Sequence, residues 1–124
     1  KYRRRLSGPL LDRFDLRVNV FRPERLDLPL GETSAVVARR VAGARLLQAE
    51  RGRLNRDLGG EALGEIPYSS AAGSRLSEMV ERLDLGPRAY DRVRRVAVTI
   101  SDLAGSQVVD EAAVGEAVSL RGSW

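Results

Sequence analysis

The sequence predicts a mostly α-helical protein: a bundle of four amphipathic helices from residue 33 onward, preceded by a one-turn helix and a single short strand. Three observations carry this. Apolar residues recur three and four apart in the segments 33–54, 71–83, 87–104 and 111–120, the period of a helix with one buried face. Gly59-Gly60, Pro67, Gly86-Pro87 and Gly105 separate those segments. Strict alternation occurs in one place, where Leu16, Val18 and Val20 are interleaved with Asp15, Arg17 and Asn19.

Residues 1–5 are a basic start, read as a solvated charge run. Ser7 is placed to cap a short helix, and Pro9 fits its first turn, where no N–H is needed. Leu10, Leu11 and Phe14 lie about one helical turn apart, and Arg13 stands where helix gives way to strand. A lone strand needs a partner for its N–H and C=O groups, and no good second strand follows. Its sheet is therefore expected upstream. The segment 21–32, with Pro23, Pro29 and Gly31, reads as a linker.

The first long helix is expected to begin at a Thr33 or Ser34 cap, with Val37, Val41, Ala44, Leu47 and Leu54 on its apolar stripe. It should fray over 52–57. Residues 61–70 suit neither helix nor strand, because Pro67 opposes both. Ser69 or Ser70 caps a helix over 71–83 with Ala72, Leu76, Met79, Val80 and Leu83 inward. Glu78 and Arg82, four apart, are placed to pair. Pro87 starts a helix to residue 104, with Ala89, Val93, Val96, Ala97, Ile100 and Ala104 inward. Asp110 caps a last helix over 111–120, with Val114, Ala117 and Val118 inward.

The chain has 124 residues, enough for one compact core. Its net charge of +4 comes almost wholly from arginine and falls short of a strong nucleic-acid signature. It contains no Cys and no His, which removes disulfides, cysteine metal sites and His-based triads, and no metal site is expected. No apolar run approaches the roughly 20 residues that span a bilayer, so no membrane partner is expected and a cytoplasmic location is the default. The chain begins with Lys1 and its only methionine is Met79, so it is expected to be a piece of a longer product.

Two stretches carry a resemblance. Ser7-Gly8-Pro9-Leu10-Leu11-Asp12-Arg13-Phe14-Asp15-Leu16 follows Tyr2-Arg3-Arg4-Arg5-Leu6. Leu85-Gly86-Pro87-Arg88-Ala89-Tyr90-Asp91-Arg92 continues through Thr99-Ile100-Ser101-Asp102-Leu103. Both are similar to motifs of the magnesium-chelatase-like AAA+ ATPases, ComM/YifB type, with Val98 where that family usually has arginine and Pro87 in place of a more typical Ser or Ala. The resemblance implies that residues 1–32 are the end of an α/β ATPase core plus linker, and that residues 33–124 are its helical lid. It implies that Arg13 is the catalytic arginine finger, reaching the γ-phosphate of a neighbouring subunit's ATP. It implies that Arg88 is sensor 2, the arginine that binds the nucleotide held by its own subunit. Asn55 loosely matches an Asn that ends an Arg-rich helix in the family.

By the same resemblance the parent protein is a hexameric ring that hydrolyses ATP with Mg²⁺ and acts on DNA, of the competence and branch-migration type. Its partners are the upstream ATPase core and identical neighbours. This chain has no G-x-x-x-x-G-K-[ST] phosphate loop and no acidic Walker B strand, so alone it is expected to be inactive. Taken without the resemblance, Arg88 reads as a surface arginine. Asp12 and Asp15 flank Arg13 and are placed to pair with it or orient it. Two other functions fit the residues: a free-standing helical nucleic-acid-binding module using an Arg88/Arg92/Arg95 face, and the lid of a metal-inserting chelatase motor.

Overall fold

In the computed structural model the described residues are 8–11, 13–20 and 31–121. The basic start, the Ser7 cap, Asp12 and residues 21–30 of the linker lie outside them. Six α-helices follow in order: α1 Gly8–Leu11, α2 Ser34–Arg51, α3 Gly60–Glu65, α4 Ser70–Leu83, α5 Pro87–Leu103 and α6 Glu111–Arg121, with a 3-10 turn at Asn55–Asp57. The mostly helical class is as expected, and the helix starts follow the local signals. The Thr33 hydroxyl accepts from Val36 N–H at 3.2 Å, Ser69 accepts from Ala72 N–H at 3.1 Å, and Asp110 accepts from Ala113 N–H at 2.8 Å. Pro87 occupies the first turn of α5. Gly52 ends α2 with φ 86°, a left-handed conformation that favours glycine. Asp84 takes the same role after α4 at φ 49°, where an acidic side chain is less common. Glu78 and Arg82 pair at 3.5 Å as their spacing predicts.

Helix α5 is the hub. It packs against α6, α2, α3 and the 3-10 turn, while α4 packs mainly on α6. The core gathers Leu58, Leu63, Leu76, Val93, Val98 and Val114 with small alanines between them. At one end, Pro67–Ser69 meets Val109 in a single parallel bridge. There Ser69 N–H donates to the Val109 carbonyl at 2.9 Å, and Val109 N–H donates to the Pro67 carbonyl at 3.0 Å. Val109 is buried, so this bridge anchors the α5–α6 connection with an apolar plug as well as two hydrogen bonds.

Four expectations are corrected. Residues 16–20 form no strand; Leu16, Val18 and Val20 are 51%, 64% and 89% exposed. Among the described residues no neighbouring edge supplies the ladder bonds that a strand requires. Residues 60–65 form a short helix, because the fully buried Leu63 pins it to the core and Pro67 stands beyond its end. The stripe on α2 is covered only from Ala44 onward, leaving Val37 and Val41 about two-fifths exposed. The buried face of α5 is turned from the expected one: Arg94, Val98, Ser101 and Asp102 join Val93 and Ala97 inside, Val96 and Ile100 are half-buried, and Ala104 is exposed. Helix α2 covers a second side of α5, which periodicity on α5 alone does not reveal.

Candidate functional site

The two arginines singled out by motif are both on the surface. Arg13 follows α1 in a turn closed by its own N–H donating to the Leu10 carbonyl at 3.1 Å. Its side chain is exposed and has no ion pair among the described residues. Arg88 lies in the first turn of α5, directly after Pro87. It too is exposed and unpaired among the described residues. The residue before the helix, Gly86, supplies no side-chain cap. The first-turn N–H groups therefore have no side-chain cap and lie beside an exposed guanidinium, and both favour anionic oxygen.

The structure brings the Arg13 segment to the same end of α5. Arg92 Nε lies 3.4 Å from Asp15 Oδ1. Arg17 N–H donates to the Leu120 carbonyl near the end of α6 at 2.7 Å. A narrow cleft between them is lined by Phe14, Asp15, Ala89, Arg92, Ala117 and Arg121. Asp15 thus pairs with Arg92, not with Arg13.

The proposed Arg88/Arg92/Arg95 face is divided by the fold. Arg92 is mostly covered and held by Asp15. Arg95 Nη1 donates to the Leu58 carbonyl at 3.2 Å. Of the three, Arg88 alone is exposed. Arg94, which sequence reasoning passed over, is buried. Its guanidinium sits 4.2 Å above the Tyr90 ring centre and donates to Asp91 at 2.7 Å. Burial pushes the Tyr68 hydroxyl up to about 12; the positive Arg94 opposes that rise and Tyr90 adds to it.

The far end of α5 holds a different arrangement. Asp102, with its side chain 1% exposed, accepts from Arg51 Nη1 at 3.0 Å and Nη2 at 2.6 Å. Asn55 Nδ2 donates to Asp102 at 2.8 Å and to the Thr99 hydroxyl at 3.0 Å. Arg51 also donates to Asn55 Oδ1 at 2.9 Å, and Asn55 N–H donates to the Gln48 side-chain carbonyl at 3.0 Å. This knot ties the end of α2 and the 3-10 turn to α5. The sequence signal for it was an aspartate at a helical position that the packing turns inward, with no local partner.

A cleft of about 400 Å³ opens near the knot between Arg51, Leu58, Ala62 and Ile66, and neither Arg13 nor Arg88 lines it. No group of three or more acidic, His or Cys side chains among the described residues could hold a metal. No described helix is long and apolar enough to cross a membrane.

A helical bundle led into its central helix by an open, arginine-bearing start has the architecture of an AAA+ helical lid. Residues 31–121 match the family model described as the C-terminal part of magnesium chelatase subunit ChlI, and the chain belongs to that family. It is 35% identical to competence protein ComM of Haemophilus influenzae, over 98% of this chain and 25% of that protein. It is 36% identical to YifB of Escherichia coli, over 98% of this chain and 25% of that protein. An uncharacterized protein of Mycobacterium tuberculosis is 40% identical, over 98% of this chain and 26% of its own length. The chain spans about a quarter of the length of these relatives.

Proposed function

We propose that this chain is the lid-bearing part of a longer ring-forming AAA+ ATPase of the ComM/YifB type, working in the cytoplasm on DNA. Arg88 contacts the phosphates of the ATP held by its own subunit, and Arg13 reaches the ATP of the neighbouring one. The observation that carries this is Arg88, exposed and unpaired among the described residues, beside the uncapped start of α5 in a chain of this family. ATP and Mg²⁺ would be held chiefly by a phosphate loop and acidic residues supplied by the upstream core, since this chain contains neither motif. The guanidinium of Arg13 would neutralise charge developing on the transferred phosphoryl group, an effect worth about 10³–10⁵ in rate in comparable GTPases.

The test is steady-state ATP hydrolysis by the full-length protein carrying this chain. Arg13→Ala and a phosphate-loop variant are each expected to be inactive alone and to recover activity when mixed, because each supplies what the other lacks. Normal hydrolysis by Arg13→Ala overturns the assignment. A second reading, a metal-inserting chelatase motor, is favoured by the chelatase subunit from which the matched family model takes its name. Stimulation of the ATPase by DNA supports the first reading against it. The free-standing nucleic-acid module is disfavoured, because Arg92 and Arg95 are spent on contacts within the fold.

A further inference from the structure

The Arg13 segment is fastened to the helix that begins at Arg88, and the fastening is specific. Arg92 is one turn after Arg88 on the same face of α5. Its side chain is 16% exposed, and its ion-pair partner is Asp15 at 3.4 Å. Asp15 is half exposed, so the pair adds little to the stability of the fold, but it gives the mostly covered Arg92 guanidinium a counter-ion and so fixes where the segment lies on α5. A second fastening, Arg17 N–H to the Leu120 carbonyl at 2.7 Å, holds the segment two residues further on. Arg13 extends two residues before Asp15, a backbone reach of about 7 Å at most. Arg88 lies one turn, about 6 Å along the axis, from Arg92. Arg13 and Arg88, neither paired among the described residues, therefore both lie close to one ion pair.

We propose that Asp15–Arg92 is the coupling element between the two ATP sites that each subunit touches. Arg92 is a positioning residue: it ties the segment carrying Arg13 to the helix carrying Arg88. Phosphate contact by Arg88 then sets where Arg13 is presented to the neighbour, and the reverse. This inference rests on the assignment of Arg13 and Arg88 given above.

Two measurements test it. In the 124-residue chain, amide hydrogen exchange by NMR should show the Arg17 N–H protected. Arg92→Ala and Asp15→Ala should remove that protection while the melting temperature stays within a few degrees. An Arg17 amide that exchanges at the unprotected rate in the parent chain shows the segment undocked and overturns the proposal. In the full-length protein, Asp15→Ala and Arg92→Ala should lower kcat for ATP about 5-fold or more with a smaller change in KM. The exchanged pair, Asp15→Arg with Arg92→Asp, should regain most of the loss, which a merely structural role would not produce. If Arg13→Ala and Arg88→Ala abolish hydrolysis but the Asp15 and Arg92 variants keep the normal kcat, the coupling is wrong and the site assignment stands. If Arg13→Ala and Arg88→Ala hydrolyse ATP normally, the assignment itself fails, and the coupling with it.

Discussion

The two ends of α5 use arginine in opposite ways. At the C-terminal end Arg51 is locked in a two-pronged contact with a buried carboxylate, and its two terminal nitrogens are bound to Asp102 and Asn55 within the fold. At the N-terminal end Arg88 stands exposed beside a helix start without a side-chain cap, and no described residue pairs with it. The helix is 17 residues long, about 25 Å, so the two settings are well separated. A guanidinium that the fold needs is recognised by what it has already bound. One that is available for a ligand is recognised by what it lacks. Arg92 is intermediate, mostly covered yet paired to a segment that carries an exposed arginine of its own.

Breaking the knot should give the largest stability loss. Asp102→Ala leaves the Arg51 guanidinium without its counter-ion and Asn55 Nδ2 with a single partner, and is expected to destabilise the chain by about 3 kcal/mol in urea unfolding. Asn55→Ala removes the side-chain bonds to Arg51, Thr99 and Asp102, keeps the backbone N–H bond to Gln48, and should cost about 1–3 kcal/mol. The double variant should fall short of the sum by more than about 0.5 kcal/mol, because both residues belong to one network. Additivity would mean that the bonds act independently.

Tyr68 gives a smaller, pH-dependent effect. Its hydroxyl is buried without a partner among the described residues. Folding raises its pKa from 10.0 to about 12, so the folded state holds the proton more tightly than the unfolded chain. The resulting stability is fully present below pH 10 and is lost as the pH climbs toward 12. Thermal melts from pH 8 to 11.5 should show that decline in the parent and a shallower one in Tyr68→Phe. At pH 7 the substitution should be neutral or slightly stabilising, since it removes an unpaired polar group. The smallest stability effect is expected at the other end of α5: Arg88→Ala should change unfolding free energy by no more than about 0.5 kcal/mol. A larger loss would show that Arg88 supports the fold and would erase the contrast.

What was legible in the sequence was local. Thr33, Ser69 and Asp110 cap helices because each needs only a backbone N–H three residues on, and Pro87 starts α5 because its ring suits a first turn. Arg13 and Arg88 were found through short motifs, and both lie on the surface. The misses share one cause. Leu63 makes a helix of residues 60–65 by being buried among distant side chains. Residues 16–20 have the alternation of a strand without the partner that would make them one.

The sequence by itself determined where the four longer helices begin, which chemistry was absent and which family the motifs resemble, because those properties depend on neighbours along the chain. Only the tertiary structure decided which arginines are bound within the fold. Arg51 meets Asp102 across 51 residues, and Arg92 meets Asp15 across the interval between the first motif and the second. Charge pairing acts through space, and the packing of α2 and residues 13–17 on α5 supplies those distances.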